Sequence, residues 1–443
     1  MEFERINYLE QLISKRNNSL IKVITGARRC GKSYLMNTIF YRYLLQNGVP
    51  ENHIIRFAFD NDEHIDLLED YYPEEPTKIL NKDKTYTVNS RKFRAYIKSV
   101  TDEVNDYYLL LDEIQILDSF VGTLNAYLSH SNFDVYVTGS NSQLLSSEID
   151  TKFRGRKSSI HMLPLSFSEF TRGTGMQPAD AWKKYIVTGG IPILYNLTES
   201  DRFDYLYDLC DEVYLKDIIG RNGVKDYDTL SELFSVLASC IGAGVSPSSL
   251  ERTFRGEKNI KVTDDTINLY IGYLEDSFIV SKSMKYNIKG KAYINTPYKV
   301  YFEDIGVRNA RLSFRQIEET HIMENIIYNE LRYRGYSVDV GEVDVNEVTD
   351  RLDKNGKKIY EKKSLEVDFI ARKGNEKLYI QSCLDLNNTD TSEREKRSLY
   401  YIDDSFRKII ITKDGLSQRC DDNGFMIIDI FDFLLKPEIY SVG

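Results

Sequence analysis

Apolar positions along the 443-residue chain follow several distinct patterns. Short, nearly continuous apolar runs at 20–25, 107–113 and 133–138 predict strands buried on both faces, as in a parallel sheet, and 160–167 reads as another strand-like run. Helical spacing follows the first run: Leu35, Met36, Ile39, Phe40, Tyr43 and Leu44 share a face, and Gly48 with Pro50 closes the helix. Further helical patterns fall around 182–188 and 205–219. Leu230, Leu233, Phe234, Leu237 and Ile241 mark another helix, and Ser246-Pro247 opens the next. Thr263 is the expected N-cap of a third, which turns Ile267, Tyr270, Ile271 and Leu274 inward. Residues 278–280 and 298–302 then predict the strands of a hairpin. Beyond it come a helix at 322–331 and strands at 336–340 and 377–383. In 365–370 polar and apolar residues alternate, so Glu366 and Asp368 share one face of a strand while Val367 and Phe369 take the other.

Composition narrows the class. At 42% apolar the chain can give a core to each of roughly three domains. Cys30, Cys210, Cys240, Cys383 and Cys420 are scattered and form no CxxC pair, which points away from a disulfide framework or zinc site and suits a reducing cytosol. No apolar run approaches the ~20 residues that span a bilayer. Residues 1–18 are charged and lack a signal-peptide core, so a soluble, cytoplasmic protein with no membrane partner is expected. A net charge of −10 argues against nucleic-acid binding through a strong overall positive field. Any DNA contact must come from local patches.

The sharpest chemistry lies where the first strand meets the first helix. Gly26, Ala27, Arg28, Arg29, Cys30, Gly31, Lys32 and Ser33 spell GxxxxGKS, with Tyr34 continuing into the helix. Glycines let backbone N–H groups curl around phosphates, and the helix start adds its positive dipole end. Lys32 is the expected bridge between the β- and γ-phosphates of ATP, and the Ser33 hydroxyl an expected ligand of Mg²⁺. Asp112 and Glu113 end the second strand: Asp112 for the magnesium shell, Glu113 as the base that polarises the attacking water. The third strand runs into Gly139-Ser140-Asn141-Ser142, where Ser140 or Asn141 is either a γ-phosphate sensor or part of an ordinary capped turn. Arginines at 153–156 are read in two ways, as plain surface residues or as donors to a γ-phosphate in their own site or a neighbour's.

These residues carry a resemblance. The chain resembles the bacterial and archaeal AAA-type ATPases with a C-terminal domain of unknown function, in which GARR-x-GKS, LDEIQ, TGS, a GR before PLSF-x-E, and GG-x-P recur. Here the motifs stand at 26–33, 111–115, 138–140, 155–156, 164–169 and 189–192, and the likeness runs to about residue 385. Cys30 departs from the small aliphatic residue usual in the loop. The resemblance implies an α/β P-loop NTPase core at 1–170, with Arg156 as the arginine of the ATP site. It also implies a helical lid at 171–228.

The remaining residues are read as a winged helix at 229–312 and a C-terminal domain at 313–443. The latter resembles the restriction-endonuclease-like fold, with Glu324, Asp368 and Gln381 at its acidic positions. Cys383 stands where that superfamily keeps a lysine, so nuclease activity is not expected; Lys377 on the same strand is too far along it to substitute. Asp264, Asp265, Glu275 and Asp276 on the third helix of the winged helix would repel phosphates, whereas Lys282, Lys285, Lys289, Lys291 and Lys299 are the candidate phosphate-binding strip. The expectation is ATP hydrolysis coupled to conformational change, with DNA as partner and a homo-oligomer placing ATP sites near subunit interfaces. Its rivals are a slowly turning-over nucleotide-dependent scaffold and an ATP-gated, metal-dependent nuclease.

Overall fold

The computed structural model describes residues 1–81, 85–139, 153, 155–352, 358–386 and 389–436. Their contacts divide them into two units: Glu2–Pro164 with Asp276–Phe278, and Met1 with Leu165–Glu275 and Ile279–Gly443. Both are α/β.

In the first unit, strands β1 (Ile21–Thr25), β2 (Ile54–Ala58), β5 (Tyr107–Asp112), β6 (Phe133–Thr138) and β7 (Lys157–His161) form a parallel sheet in the order β2-β5-β6-β1-β7. A small hairpin of β3 (Lys78–Leu80) and β4 (Tyr86–Val88) lies apart from it. Every residue of β1 and β5 is buried, as continuous apolar runs require when helices cover both faces of a sheet. Lys22 is the charged residue of β1, and its ammonium pairs with Asp134 of β6, which also accepts from the Tyr136 hydroxyl at 2.9 Å. Val23, Phe57, Leu109, Leu111 and Val135 join Phe93 and Ile97 of the helix Ser90–Val100 in one core. The run at 160–167 is strand only to His161. Ser166 instead caps the helix Phe167–Thr174, exchanging hydrogen bonds with Glu169 as a capping box.

The second unit holds the helices Pro178–Thr188, Glu199–Asp208, Tyr227–Ser239, Pro247–Glu257 and Asp264–Asp276. It also holds a mixed sheet whose order is β15-β16-β14-β13-β12-β11-β9-β10-β8 among the described residues. The strands are β8 (Gly244–Val245), β9 (Val280–Asn287), β10 (Ala292–Phe302), β11 (Ser337–Leu352), β12 (Lys358–Lys373), β13 (Glu376–Ser382), β14 (Arg407–Thr412), β15 (Arg419–Cys420) and β16 (Met426–Asp429). The expected boundary at 312/313 does not divide this sheet. The hairpin β9–β10 pairs through β9 with β11, Gly341 opposite Tyr286, so the elements expected as a winged helix and a separate C-terminal domain share one ladder. Residues on both sides of the expected boundary at 228/229 likewise fall in one of the two units.

Two of the family motifs do packing work here. Asp304 is buried and accepts from the Gly190 and Val307 N–H groups at 2.7 and 3.0 Å, and its burial pushes its carboxyl up to about 6. A Cβ on Gly190 would come 2.3 Å from the Leu165 carbonyl oxygen, so the glycine is set by the close approach of two backbones.

Candidate functional site

At the carboxyl edge of its sheet, β1 runs into the loop 26–33. Gly26 leaves the strand at φ 143°, and a Cβ there would lie 2.1 Å from the carbonyl oxygen of Met162. Gly31 at φ 104° and Arg29 at φ 68° are left-handed as well, so the loop curls back before helical structure begins at Lys32. That helix continues through a π-helical segment, Leu35–Phe40, into Tyr41–Gln46. Ala27 and Cys30 are buried, Arg28 is half-buried, Arg29 and Ser33 are exposed, and the exposed Tyr34 donates to Glu2 at 2.8 Å. Lys32 is 5% exposed and lies within the curl, its ammonium donating to the carbonyl oxygens of Gly26 and Ala27 at 2.9 Å each.

Beside the loop, Asp112 ends β5 and is buried. The Thr138 hydroxyl, at the end of β6, donates to its Oδ1, and Asn37 Nδ2 donates to its Oδ2 at 3.2 Å. Burial pushes the Asp112 carboxyl above its ordinary value, the hydroxyls of Thr138 and Ser33 pull it back, and the nearby Glu113 and Asp60 push it up. Among the described residues no lysine or arginine pairs with it. A desolvated carboxylate with neutral donors, an adjoining serine hydroxyl and no counter-charge of its own fits a hard divalent cation.

Glu113 follows in a left-handed conformation, φ 50°, uncommon for a residue with a side chain. Its N–H donates to Thr138 Oγ1 at 3.1 Å, and its carboxylate accepts from the Gln115 amide. Thus the structure brings Lys32, Ser33, Asp112 and Glu113 to one edge of the sheet. The sequence reading missed Asn37, Thr138 and Gln115 as their partners.

Arg156 lies elsewhere. It is exposed, and its carbonyl accepts from the Ile21 N–H at 2.9 Å, just before the register in which Ile21 faces Lys157. It therefore stands at the amino edge of the sheet, about 16 Å along β1 from the loop at ~3.3 Å per residue. Of the readings left open for it, this position disfavours a reach to the loop of its own chain and leaves a neighbour's site or a plain surface role. Ser140, Asn141 and Arg154 lie outside the described residues.

A second acidic constellation sits in the other unit. Glu324 of the helix Glu319–Tyr333 and Glu366 and Asp368 of β12 converge on the ammonium of Lys299, at 2.8, 2.7 and 3.7 Å. Lys299 is 2% exposed. Tyr301 donates to Glu324 at 2.7 Å, and Lys285 adds a second cation 2.8 Å from Glu366. Burial, with Glu324 next, drives the Asp368 carboxyl up to about 8, while Lys299 and the Ser382 N–H act in the opposite direction. Gln381 does not join: its carboxamide accepts from the Asp368 N–H at 3.3 Å and donates to Glu395 at 3.0 Å. Cys383 donates to the Asp385 carbonyl, and Lys377 pairs with Asp404. No group of three or more His, Cys, Asp or Glu side chains among the described residues could hold a metal ion.

This arrangement also corrects the expected lysine strip. Lys282 pairs with Glu275, Lys285 with Glu366 and Glu342, and Lys299 is internal, leaving Lys289 and Lys291 exposed near the hairpin turn. Among the described residues no helix is long and apolar enough to cross a membrane.

Comparison with known proteins adds family to geometry. A model described as "AAA domain" matches residues 18–171, and one described as "Domain of unknown function (DUF8612)" matches 179–318. An uncharacterized protein of Haemophilus influenzae is 32% identical over 440 residues, covering 98% of each chain. An uncharacterized protein of Methanocaldococcus jannaschii is 27% identical over 436 residues, 93% of this chain and 87% of that one. Among solved structures, Cdc6p of Pyrobaculum aerophilum aligns with a TM-score of 0.30 at 12% identity, over 73% of this chain and 94% of its own.

Proposed function

The chain belongs to the family of that Haemophilus influenzae protein, here an AAA domain followed by a domain of unknown function, and from this premise we propose that it binds Mg-ATP in the loop 26–33 and hydrolyses it. The observation that carries the reading is the meeting of Lys32, Ser33, Asp112 and Glu113 at one sheet edge. Backbone N–H groups of the loop and the Lys32 ammonium receive the phosphates, the amine releasing its own loop carbonyls to do so. Ser33 and Asp112 would hold the magnesium shell, and the ion, when bound, would supply charge neutralisation for the phosphates. Glu113 takes the proton of the attacking water; the amide of Gln115 fixes where its carboxylate points. Arg156, at the far edge, serves only a site on a neighbouring copy.

Turnover drives a conformational change delivered to a partner. DNA, contacted through Lys289 and Lys291, is the partner in the first reading. The inward pairing of Lys282, Lys285 and Lys299, with a net charge of −10, favours a second: a nucleotide-dependent scaffold or switch that acts through protein contacts. One experiment addresses both levels. Lys32→Ala should abolish binding of labelled ATP, since its ammonium is the main point charge on the phosphates. Retained affinity in that variant would end the ATPase reading, whereas a parent turnover rate indifferent to single- or double-stranded DNA would move the assignment to the scaffold.

A further inference from the structure

We propose that Thr138 is a positioning residue that locks Asp112 and Glu113 to one another, with Asn37 holding the far oxygen of Asp112. The proposal rests on the ATPase reading and deepens it. Thr138 ends β6, fully buried, one strand away from both acidic residues. A hydroxyl has one proton to give, and here it goes to Asp112 Oδ1; a lone pair of the same oxygen receives the Glu113 N–H at 3.1 Å. The side chain is therefore committed to the two residues and is not a phosphate sensor.

Its effect on each is different. Asp112 is gripped at Oδ1 by Thr138 and at Oδ2 by Asn37, 3.2 Å away, so the carboxylate plane cannot turn without breaking a bond. Asn37 lies four residues beyond Ser33 and so shares its side of the helix, the side from which its amide reaches the Asp112 carboxylate. On Glu113 the grip is on the backbone: the bond to Thr138 anchors the peptide that enters the left-handed conformation from which the side chain leaves β5. A rotation of Asp112 would thus be felt at Glu113 through a single oxygen atom.

Thr138→Val removes the hydroxyl at nearly constant shape, Thr138→Ser keeps it, and Asn37→Ala frees only the far oxygen. Three quantities separate the roles: affinity for a fluorescent ATP analogue in EDTA, the Mg²⁺ concentration that half-saturates the metal-dependent change in that signal, and the single-turnover hydrolysis rate. Thr138→Val should bind the analogue in EDTA as the parent does, while its Mg²⁺ requirement and hydrolysis rate worsen by roughly 10- to 100-fold, the usual cost of losing an outer-shell partner. Thr138→Ser should recover most of both, and Asn37→Ala should raise the Mg²⁺ requirement with a smaller loss of rate. A valine variant with parental Mg²⁺ dependence and rate overturns the proposal, as does a serine variant impaired to the same extent. Should the valine variant fail to fold, an unchanged Mg²⁺ requirement in Asn37→Ala overturns it instead. A failed clamp leaves the parent's own ATP binding and hydrolysis intact, whereas a failed ATPase reading removes them.

Discussion

The molecule builds two acidic constellations, and they differ in where the positive charge comes from. Asp112 has neutral donors about it, the Thr138 hydroxyl and the Asn37 carboxamide, and the neighbouring Glu113 accepts from the Gln115 carboxamide. Glu324, Glu366 and Asp368 are arranged around a resident ammonium, with Lys285 as a further cation at the edge. The first arrangement is poised to receive a cation from solution. The second has its cation covalently attached, and the neutral form of Asp368, toward which burial raises it, lessens the negative charge that Lys299 must balance without a metal. Carboxylates that approach one another are thus poor evidence for a metal site until the nearest cation has been found.

Breaking each constellation should have opposite consequences. Lys299→Met leaves three carboxylates facing one another in a buried place, and losing one partner of a buried ion pair typically costs about 3–5 kcal/mol. Denaturant unfolding followed by a probe in the second unit should show that loss, or the variant should fail to accumulate folded. A loss under about 1 kcal/mol would mean that solvent supplies what Lys299 was credited with, as at an exposed pair. Glu113→Gln, by contrast, should leave stability within about 0.5 kcal/mol, since the side chain is only half-buried and glutamine keeps its shape. Its hydrolysis rate should fall by about 10² or more with ATP binding preserved, because only the proton acceptor is removed. An unaltered turnover number would show that Glu113 is not the base.

What the sequence made legible follows the same division. The loop 26–33 is contiguous, so the strand, the curl and the helix start could be read in order from the spacing. Asp112 and Glu113 were visible because a run of buried apolar residues stops at them. Thr138 and Asn37 act through bonds between segments far apart in the chain, 26 and 75 residues from Asp112, which local pattern cannot report. Lys299 misled for a different reason: in an alternating strand a lysine reads as facing solvent, yet here the helix Glu319–Tyr333 brings Glu324 onto that ammonium. The shared face of Glu366 and Asp368 was read correctly from alternation, but not what faced it. Arg156 is a matter of register: only the pairing of Ile21 with Lys157 sets it at the amino edge of the sheet, away from the loop 26–33.

The smallest expected effect is also the most specific to the resident cation. Asp368 is held near 8 in the folded protein against 3.8 as its ordinary value, so between about pH 4 and pH 8 the folded chain retains a proton that the unfolded chain has released. Stability then declines as pH rises through that window, because stability increases with pH only where the unfolded state carries more protons. One proton sets an upper limit of about 1.4 kcal/mol per pH unit, and the coupling to Glu324 and Lys299 spreads the response and lowers it. Asp368→Asn mimics the protonated form: its carbonyl oxygen can still accept from the Ser382 N–H, and Glu324 and Glu366 remain to pair with Lys299. The variant should therefore match the parent near pH 4 and exceed it by pH 8, so that the difference between their urea midpoints grows steadily across the window while all other titrations cancel. Parallel curves would mean that Asp368 is already ionised at neutral pH, and that the Lys299 cluster carries more negative charge than its lysines neutralise. In that case the contrast between the two constellations would weaken, because the second would also have room for a cation from solution.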